Sequence, residues 1–226
     1  MLIRGNARPL TWPDRVEHWN AAFQKYPPIM YSHGWAYGVW YTGKGFTRAK
    51  LHGEYPPTFL KRALALWPDV PERCCLHVCS GTVQHGVRVD LSRAFGPSVL
   101  ACAEALPFTD GSFKLVLYDP PYDRKNAAIY GVAPKPPRWT HAMREMVRVL
   151  QPGGHLGILH WYYPSYSRKK MGIRLVGLIA VCVGFCARTR IFSIFEKQGP
   201  CMPATEPLRV NGRFVTAQAP LFQEGA

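Results

Sequence analysis

One stretch decides the fold of this 226-residue chain: Phe113-Lys114-Leu115-Val116-Leu117-Tyr118-Asp119-Pro120-Pro121-Tyr122. Its first six residues are mostly apolar and follow Asp110-Gly111, a pattern that predicts a buried strand. Two consecutive prolines cannot continue a strand, so the chain must turn there with a rigid backbone. The stretch therefore predicts a strand whose carboxyl end presents a carboxylate, fixed carbonyl groups and an aromatic ring.

These groups suit a pocket that holds a planar base by its exocyclic amine. Such an amine is a poor nucleophile, because its lone pair is delocalised into the ring. Hydrogen bonds from the amine to Asp119 and to the Pro120 carbonyl would help to localise that lone pair, and Tyr122 would stack on the base. We therefore predict Asp119, Pro120, Pro121 and Tyr122 as catalytic residues. The alternative is that this tetrapeptide is a turn without a catalytic role, since Pro-Pro turns are common in loops.

A second apolar run, Cys74-Cys75-Leu76-His77-Val78-Cys79, leads into a turn of small residues, Ser80-Gly81-Thr82-Val83. In a doubly wound sheet, a buried strand followed by such a turn binds a nucleotide-like cofactor, with Gly81 allowing close approach and backbone N–H groups donating. Arg88-Val89-Asp90-Leu91 predicts the next strand, and an acid at its end commonly accepts ribose hydroxyl groups. The predicted cofactor contacts here are His77, Val78, Cys79, Ser80, Gly81, Thr82, Asp90 and Leu91.

Two further segments complete the pattern: Leu106-Pro107-Phe108 before Asp110-Gly111-Ser112-Phe113, and Arg148-Val149-Leu150-Gln151-Pro152-Gly153-Gly154 before a strand at 156–161. With them, roughly residues 30–198 resemble the class I S-adenosylmethionine-dependent methyltransferases. Asp-Pro-Pro-Tyr narrows the resemblance to amino-methyltransferases that modify adenine N6 or, less often, cytosine N4 in DNA. Tyr37-Gly38-Val39-Trp40 and Tyr55-Pro56-Pro57 further resemble small phage-type DNA adenine methylases.

The resemblance implies a fold, a cofactor and a reaction. The fold would be a single Rossmann-like doubly wound α/β sheet, mostly parallel, with an antiparallel C-terminal hairpin strand. The cofactor would be S-adenosyl-L-methionine, with further contacts from Cys102, Ala103 and Glu104. The reaction would be methyl transfer to the exocyclic amine of a base, with adenine N6 in DNA preferred, and it would need no metal and no covalent enzyme intermediate.

Several residues depart from the family pattern. The turn keeps Gly81 but lacks the Gly-x-Gly-x-Gly pattern, and His77 stands where an acid is usual. Cys102 stands where many relatives have an aspartate that contacts the cofactor's adenine amine, and Lys114 replaces another acid. One lost charge-assisted hydrogen bond costs about 1.5–3 kcal/mol, and the Ala103 backbone and the Glu104 side chain could partly substitute for it. A degenerate, cofactor-free nucleic-acid-binding protein therefore stays open as an alternative.

The charge of the chain indicates a polyanionic partner. The formal net charge is +14 and the isoelectric point is about 9.7. Together with the base pocket, this charge favours nucleic acid, and double-stranded DNA first. Aromatic side chains can stack on bases while basic ones neutralise phosphates, unless the aromatics only cover the sheet. The predicted nucleic-acid contacts are Tyr37, Trp40, Lys44, Arg48 and Lys50 in a basic aromatic segment, and Arg124, Lys125 and Arg138 near the tetrapeptide.

The organisation along the chain is simple. Residues 1–72 would form a helical and basic-aromatic extension, 73–198 the methyltransferase core and 199–226 an irregular tail. Within the extension, residues 15–25 and 58–67 have helical spacing, and 31–56 predicts a loop or a loose hairpin facing the substrate. Residues 173–183 and 190–195 predict paired antiparallel strands. Apolar residues in 173–183 also recur at helical spacing, so a helix is the alternative there.

The cysteines and apolar stretches suggest a cytoplasmic protein without a metal or a membrane span. Seven cysteines, an odd number, and no signal peptide indicate a reducing compartment. Cys74, Cys75 and Cys79 lie close together but lack Cys-x-x-Cys spacing, so we predict core packing rather than zinc. The apolar stretch 175–185 is too short to cross a bilayer. We expect a monomer or a weak dimer.

The activity has alternatives that the sequence keeps open. Much of 103–161 would also fit a small-molecule class I methyltransferase, and the base could be cytosine N4 or lie in RNA. The high positive charge and Asp-Pro-Pro-Tyr favour a nucleic-acid base over a small molecule. Adenine is favoured over cytosine only by resemblance, because a serine in the first place of the tetrapeptide is commoner in cytosine-N4 enzymes.

Overall fold

The computed structural model describes residues 9–43, 53–130, 135–184 and 189–199, with two short paired strands, Arg209–Val210 and Arg213–Phe214. Nine strands form the main sheet: β1 Met30–Ser32, β2 Trp35–Tyr41, β3 Cys75–Val78, β4 Val87–Asp90, β5 Val99–Leu100, β6 Phe113–Tyr118, β7 Leu150–His160, β8 Ile173–Cys182 and β9 Arg190–Lys197. The α-helices are α1 Trp12–Ala22, α2 Phe59–Leu64, α3 Arg124–Tyr130, α4 Trp139–Val149 and α5 Arg168–Met171.

The strand order of this sheet is β1-β2-β8-β9-β7-β6-β3-β4-β5. Strands β3 to β7 are parallel, and their spatial order, β5-β4-β3-β6-β7, is that of a doubly wound sheet. Strand β9 lies antiparallel between β7 and β8, so Ser193 faces Ile158 on one side and Leu178 on the other. The predicted mostly parallel sheet with an antiparallel C-terminal hairpin strand is confirmed, and the helical alternative for 173–183 is wrong.

Both faces of the sheet are covered, but by different parts of the chain. Helix α4 packs on one face through Met143, Met146 and other apolar side chains, with the segment around Leu106 beside it. The N-terminal helices α1 and α2 pack on the opposite face. Apolar residues between positions 12 and 67 thus share one hydrophobic core with strands of the sheet. The predicted domain boundary between residues 72 and 73 stays a prediction.

Strand β2 corrects the prediction for residues 31–56. Residues 30–41 do form a hairpin, but it is part of the sheet: β2 pairs in parallel with β8, and β1 pairs with β2. Burial alternates along β2, because successive side chains point to opposite faces. Ala36 and Trp40 are buried, whereas Trp35, Tyr37, Val39 and Tyr41 are exposed. Period-two alternation was the sequence signal for this strand, and the dense aromatics obscured it.

The two crossovers beside β4 are unusually short. Residues 79–86 join β3 to β4, and 91–98 join β4 to β5; neither contains an α-helix, and the second has one 3-10 turn, Arg93–Phe95. Parallel strands are usually joined by a dozen or more residues that include a helix. The turn after β3 therefore does not open a helix, and α2 packs against the sheet face there instead.

The membrane prediction can be compared with the helices. Among the described residues, no helix combines the length and the apolar character needed to cross a bilayer. The apolar stretch that begins at Leu175 belongs to strand β8, with Val176, Ile179 and Val181 buried in the core.

Candidate functional site

The predicted catalytic and cofactor residues converge at one edge of the sheet. Val78 pairs with Tyr118 at the ends of β3 and β6, so the loops beginning at Cys79 and Asp119 are neighbours. These two strands flank the point where the strand order reverses. Open α/β sheets bind ligands at this place, outside the carboxyl ends of the strands. The predicted residues of both loops therefore lie at the edge where sheets of this kind bind ligands.

The carboxylate of Asp119 is bound by a side chain of its own tetrapeptide. The Tyr122 hydroxyl donates to Oδ1 of Asp119 at 2.6 Å. Burial raises the pKa of Asp119 to about 6, while the positive charge of Arg190 and the Tyr122 hydrogen bond act in the opposite direction. The carboxylate is therefore ionised at neutral pH and becomes protonated below about pH 6. The ionised carboxylate is purely an acceptor, so above that pH both of its oxygens can accept hydrogen bonds from an amine.

An aromatic cluster surrounds Tyr122. Its ring centroid lies 4.9 Å from those of both His160 and Trp161, and His160 also contacts Trp139 and Tyr162. Burial lowers the pKa of His160 to about 4, so its imidazole is neutral at neutral pH. Flat apolar faces of this kind can sandwich an unstacked base. The aromatic cluster comprises Tyr122, Trp139, His160, Trp161 and Tyr162.

Sequence reasoning missed most of this cluster and also Arg190. The guanidinium of Arg190 lies 5.3 Å from the Tyr122 ring centroid, in cation–π geometry. Arg190 begins β9, which is antiparallel, so its first residue lies at the edge where β7 ends: His160 pairs with Ile191. The run His160-Trp161-Tyr162 after a predicted strand was the available signal for the cluster. No local pattern signals Arg190.

The backbone donors of the predicted cofactor turn are already engaged within the protein. Gly81 N donates to Asp90 Oδ2 at 2.9 Å, and Thr82 N donates to the Gly53 carbonyl at 3.3 Å. Ser80 N donates to Val89 O, and Val83 N donates to Ser80 O, both within 3.1 Å. In this conformation of the turn protein acceptors hold these N–H groups, and their service to a ligand stays a prediction.

The protein's own backbone requires glycine at position 81. A Cβ on Gly81 would lie 1.9 Å from the carbonyl oxygen of Gly53, so the neighbouring backbone, not a ligand, makes the close approach. Gly81 and Cys79 both have positive φ, at 50° and 56°. Cys79 thus adopts a left-handed conformation that glycine usually supplies.

Asp90 has a structural role at the end of β4. Its two carboxylate oxygens accept the N–H groups of Gly81 and Ser92, each at 2.9 Å. A carboxylate oxygen has more than one lone-pair site, so Asp90 can accept hydroxyl groups as well. Leu91, the next predicted contact, is exposed. Asp90 therefore links the turn after β3 to the segment that follows β4.

Three buried hydroxyl groups beside this turn have no hydrogen-bond partner: Ser80 Oγ, Tyr55 OH and Tyr118 OH. The electrostatic neighbours of both tyrosine hydroxyls include Cys79 and Asp119. A buried polar group without a partner costs about 1–3 kcal/mol, and native proteins contain few of them. These three hydroxyl groups are therefore candidates for binding a polar group at the junction of the two loops.

The remaining predicted cofactor residues are held by protein contacts. His77 is completely buried, and its Nε2 lies 3.2 Å from His85 Nδ1; burial lowers its pKa to about 3. Cys102 Sγ accepts the backbone N–H of Glu104 at 3.4 Å, while Ala103 is buried. Both carboxylate oxygens of Glu104 bind Arg138, each at 2.6 Å. Glu104 is therefore engaged in an ion pair with Arg138, and its contact with a cofactor stays a prediction.

The predicted nucleic-acid contacts divide into four groups. Trp40 is completely buried and stacks on Trp19 with ring centroids 5.5 Å apart, so its assignment as a nucleic-acid contact is wrong. Tyr37 is exposed, and Arg124 and Lys125 are exposed at the start of α3, directly after the tetrapeptide. Arg138 is half-exposed in its ion pair. The other three predicted contacts, Lys44, Arg48 and Lys50, lie outside the described part of the chain.

No protein-family model and no curated protein matches the sequence. Similar solved structures include a SAM-dependent methyltransferase from Thermotoga maritima (24% identity, 40% of this chain and 45% of that chain, TM-score 0.29). They also include the N-methyltransferase NodS from Bradyrhizobium japonicum (15%, 62% and 92%, TM-score 0.40) and a 16S rRNA methyltransferase from T. thermophilus (15%, 88% and 52%, TM-score 0.41). The chain spans about half the length of the first and third. With TM-scores below 0.5, these likenesses do not establish a family.

Proposed function

We propose that the protein transfers a methyl group from S-adenosyl-L-methionine to the exocyclic amine of a nucleic-acid base, with adenine N6 in DNA as the preferred target. One observation carries the proposal: Asp119-Pro120-Pro121-Tyr122 follows β6 at the reversal point of the sheet, next to the turn after β3. A base-holding group and a cofactor turn would have to meet at this point for direct transfer.

The cofactor residues fit in part. Asp90 lies at the end of β4 with oxygen lone pairs that can accept ribose hydroxyls, and Ser80 and Tyr118 offer buried hydroxyl groups that lack partners. The N–H groups of the turn would have to leave Gly53 and Asp90 before they could serve a ligand. When bound, S-adenosyl-L-methionine supplies an electrophilic methyl group on a sulfonium.

The residues of the tetrapeptide would orient the amine. A base flipped from its stack would lie against the aromatic cluster, and the ionised Asp119 together with the Pro120 carbonyl would accept its amine hydrogens. Tyr122 would release Oδ1 of Asp119 as the base enters, since its hydroxyl occupies that oxygen in the structure. Neutral His160 avoids placing a positive charge beside an amine that must act as a nucleophile.

The charge supports a polyanionic substrate. Arg124 and Lys125 are exposed at the start of α3, immediately beyond the tetrapeptide, where phosphates flanking a flipped nucleotide would pass. Twice as many basic as acidic residues give the chain its net charge of +14. A small-molecule substrate would need no such surplus.

The test is incubation of the purified protein with radiolabelled S-adenosyl-L-methionine and unmethylated DNA, RNA or a metabolite extract, followed by mass spectrometry of nucleosides. We expect N6-methyladenine in DNA. Asp119→Ala should abolish turnover and leave cofactor affinity within a few-fold, whereas Glu17→Gln, an exposed acid on α1, should match the wild type. Label only in small molecules would overturn the proposal, and N4-methylcytosine alone would overturn the choice of base. An active Asp119→Ala protein would overturn the mechanism.

A further inference from the structure

A group of three nitrogen and sulfur donors lies under the short crossover between β3 and β4. The side chains are Cys75, His77 and His85, and their donor atoms all lie within 4.8 Å of one another. His77 Nε2 is the central atom, 3.2 Å from His85 Nδ1 and 3.6 Å from Cys75 Sγ. Within the described residues, it is the one such group of histidine, cysteine or acidic side chains.

The fold brings these donors together by strand periodicity and a tight return. Cys75 and His77 are two residues apart on β3, so their side chains point to the same face of the sheet. The chain then returns over that face, and Gly86 holds it close: a Cβ there would lie 2.6 Å from the carbonyl oxygen of Cys75. Glu72 accepts the N–H of Gly86 at 3.0 Å, which fixes His85 above the strand.

The donor types and their spacing suit zinc. Zn²⁺ takes thiolate and imidazole ligands with bonds of about 2.3 Å to sulfur and about 2.0–2.1 Å to nitrogen. In a tetrahedral site, those bond lengths place neighbouring donor atoms about 3.3–3.6 Å apart. The His77–His85 contact of 3.2 Å and the Cys75–His77 contact of 3.6 Å correspond to this spacing, and all three donor atoms lie within 4.8 Å of one another. Magnesium and calcium prefer oxygen donors, which this group lacks.

We propose that Cys75, His77 and His85 bind one zinc ion, with a water molecule as the fourth ligand. Cys75 and His77 are buried, whereas His85 is half-exposed, so solvent reaches the group from the side of the crossover. The ion would link β3 to the residues 79–86 and brace a crossover that has no helix. Its position supports the turn that carries Ser80 and Gly81, and it needs no part in methyl transfer.

The experiment measures metal in the full-length protein. Protein purified without chelator, and chelator-treated protein titrated with Zn²⁺ or Co²⁺, would be analysed by elemental mass spectrometry and absorption spectroscopy. We expect one zinc per chain, and a thiolate-to-cobalt charge-transfer band from the single sulfur ligand. Cys75→Ser and His85→Ala should each weaken Zn²⁺ affinity by more than about tenfold. Their matched controls are Cys74→Ser, the adjacent thiol outside the group, and His18→Ala, an exposed histidine on α1.

Two outcomes would overturn the site. One is wild-type protein that takes up neither metal; the other is zinc retained equally by His85→Ala and by the wild type. Because Cys75 is buried, Cys75→Ser can misfold, whereas the half-exposed His85 allows a variant whose circular dichroism should match the wild type. Loss of zinc from all four variants would mean binding elsewhere and would also overturn the assignment. None of these readouts depends on methyltransferase activity.

Discussion

Asp119 carries a charge that its surroundings oppose. It ends a buried strand, and burial raises its pKa to about 6 although Arg190 and the Tyr122 hydroxyl favour the ionised form. A native structure keeps such a group when function requires it, at the expense of stability. The cost should therefore be measurable in the folding equilibrium, independently of any assay for activity.

Asp119→Asn should stabilise the protein at pH 7.5 by about 1–3 kcal/mol. The folded-state pKa is raised above its ordinary value of 3.8, so protonation favours the folded state below about pH 4, and this stabilisation is lost as pH rises through 6. Asparagine is neutral throughout, so its advantage should disappear at pH 4. Urea unfolding at both pH values measures this difference, with the exposed Glu17→Gln as control. A variant less stable than wild type at pH 7.5 would contradict the expectation.

At this scale, local patterns foresaw some site residues and not others. Asp119 and Tyr122 follow a strand in sequence, so a short motif suffices to place them together. Arg190 reaches Tyr122 only because β9 lies antiparallel beside β7, which is a consequence of tertiary pairing. His77 and His85 meet because a crossover is too short for a helix. Cysteine spacing alone argued against a metal, because two of the three donors are histidines that only the folded chain brings together.

At the scale of elements, the turn after β3 is determined by a close backbone approach. The Gly53 carbonyl occupies the space where a side chain on residue 81 would begin. The same carbonyl accepts the N–H of Thr82, so the segment at Gly53 and the turn support each other. A substitution at Gly81 should therefore lower stability by displacing the backbone rather than by removing side-chain contacts.

Gly81→Ala should lower the free energy of unfolding more than Gly96→Ala does. Both glycines have positive φ, 50° and 58°, so both substitutions carry a left-handed backbone penalty of about 1–2 kcal/mol. Only Gly81 adds a clash, since nothing lies within 4 Å of a Cβ on Gly96. The clash should add about 1–3 kcal/mol, read from urea midpoints at unchanged slope. Equal losses at the two positions would show that the turn relaxes freely.

The principal strands could be predicted because each is an apolar run bounded by turn residues. Strands β3, β4 and β6 follow their predicted segments closely, and β7 begins earlier than expected, at Leu150. Helix α1 begins at Trp12 because Thr11 and Asp14 form a capping box, ahead of the amphipathic pattern. The role of β2 depends on β8, a partner far along the chain, so neither its place in the sheet nor the burial of Trp40 was visible locally.

For the whole molecule, the net charge of +14 makes salt the simplest probe of substrate class. Replacing both Arg124 and Lys125 by serine should reduce the slope of log affinity against log salt for DNA by about 2, one for each phosphate contact. Replacing Lys25, which is exposed after α1, and Lys61, which is exposed on α2, removes the same charge and should leave the slope nearly unchanged. Fluorescence anisotropy with a labelled duplex gives both slopes. Equal slopes for the two double variants would mean that only the total charge matters and that Arg124 and Lys125 make no specific phosphate contacts.

The pairing of β2 with β8 has a consequence for how the chain folds. Ala36 pairs with Gly177, so two strands about 140 residues apart in the sequence must be brought together. Such long-range pairing slows folding. A ribosome releases the N-terminal aromatic residues, among them Trp19 and Trp40, long before the strand that covers them has been made. During synthesis these rings face solvent or a chaperone, and the sheet closes only when β8 and β9 emerge together.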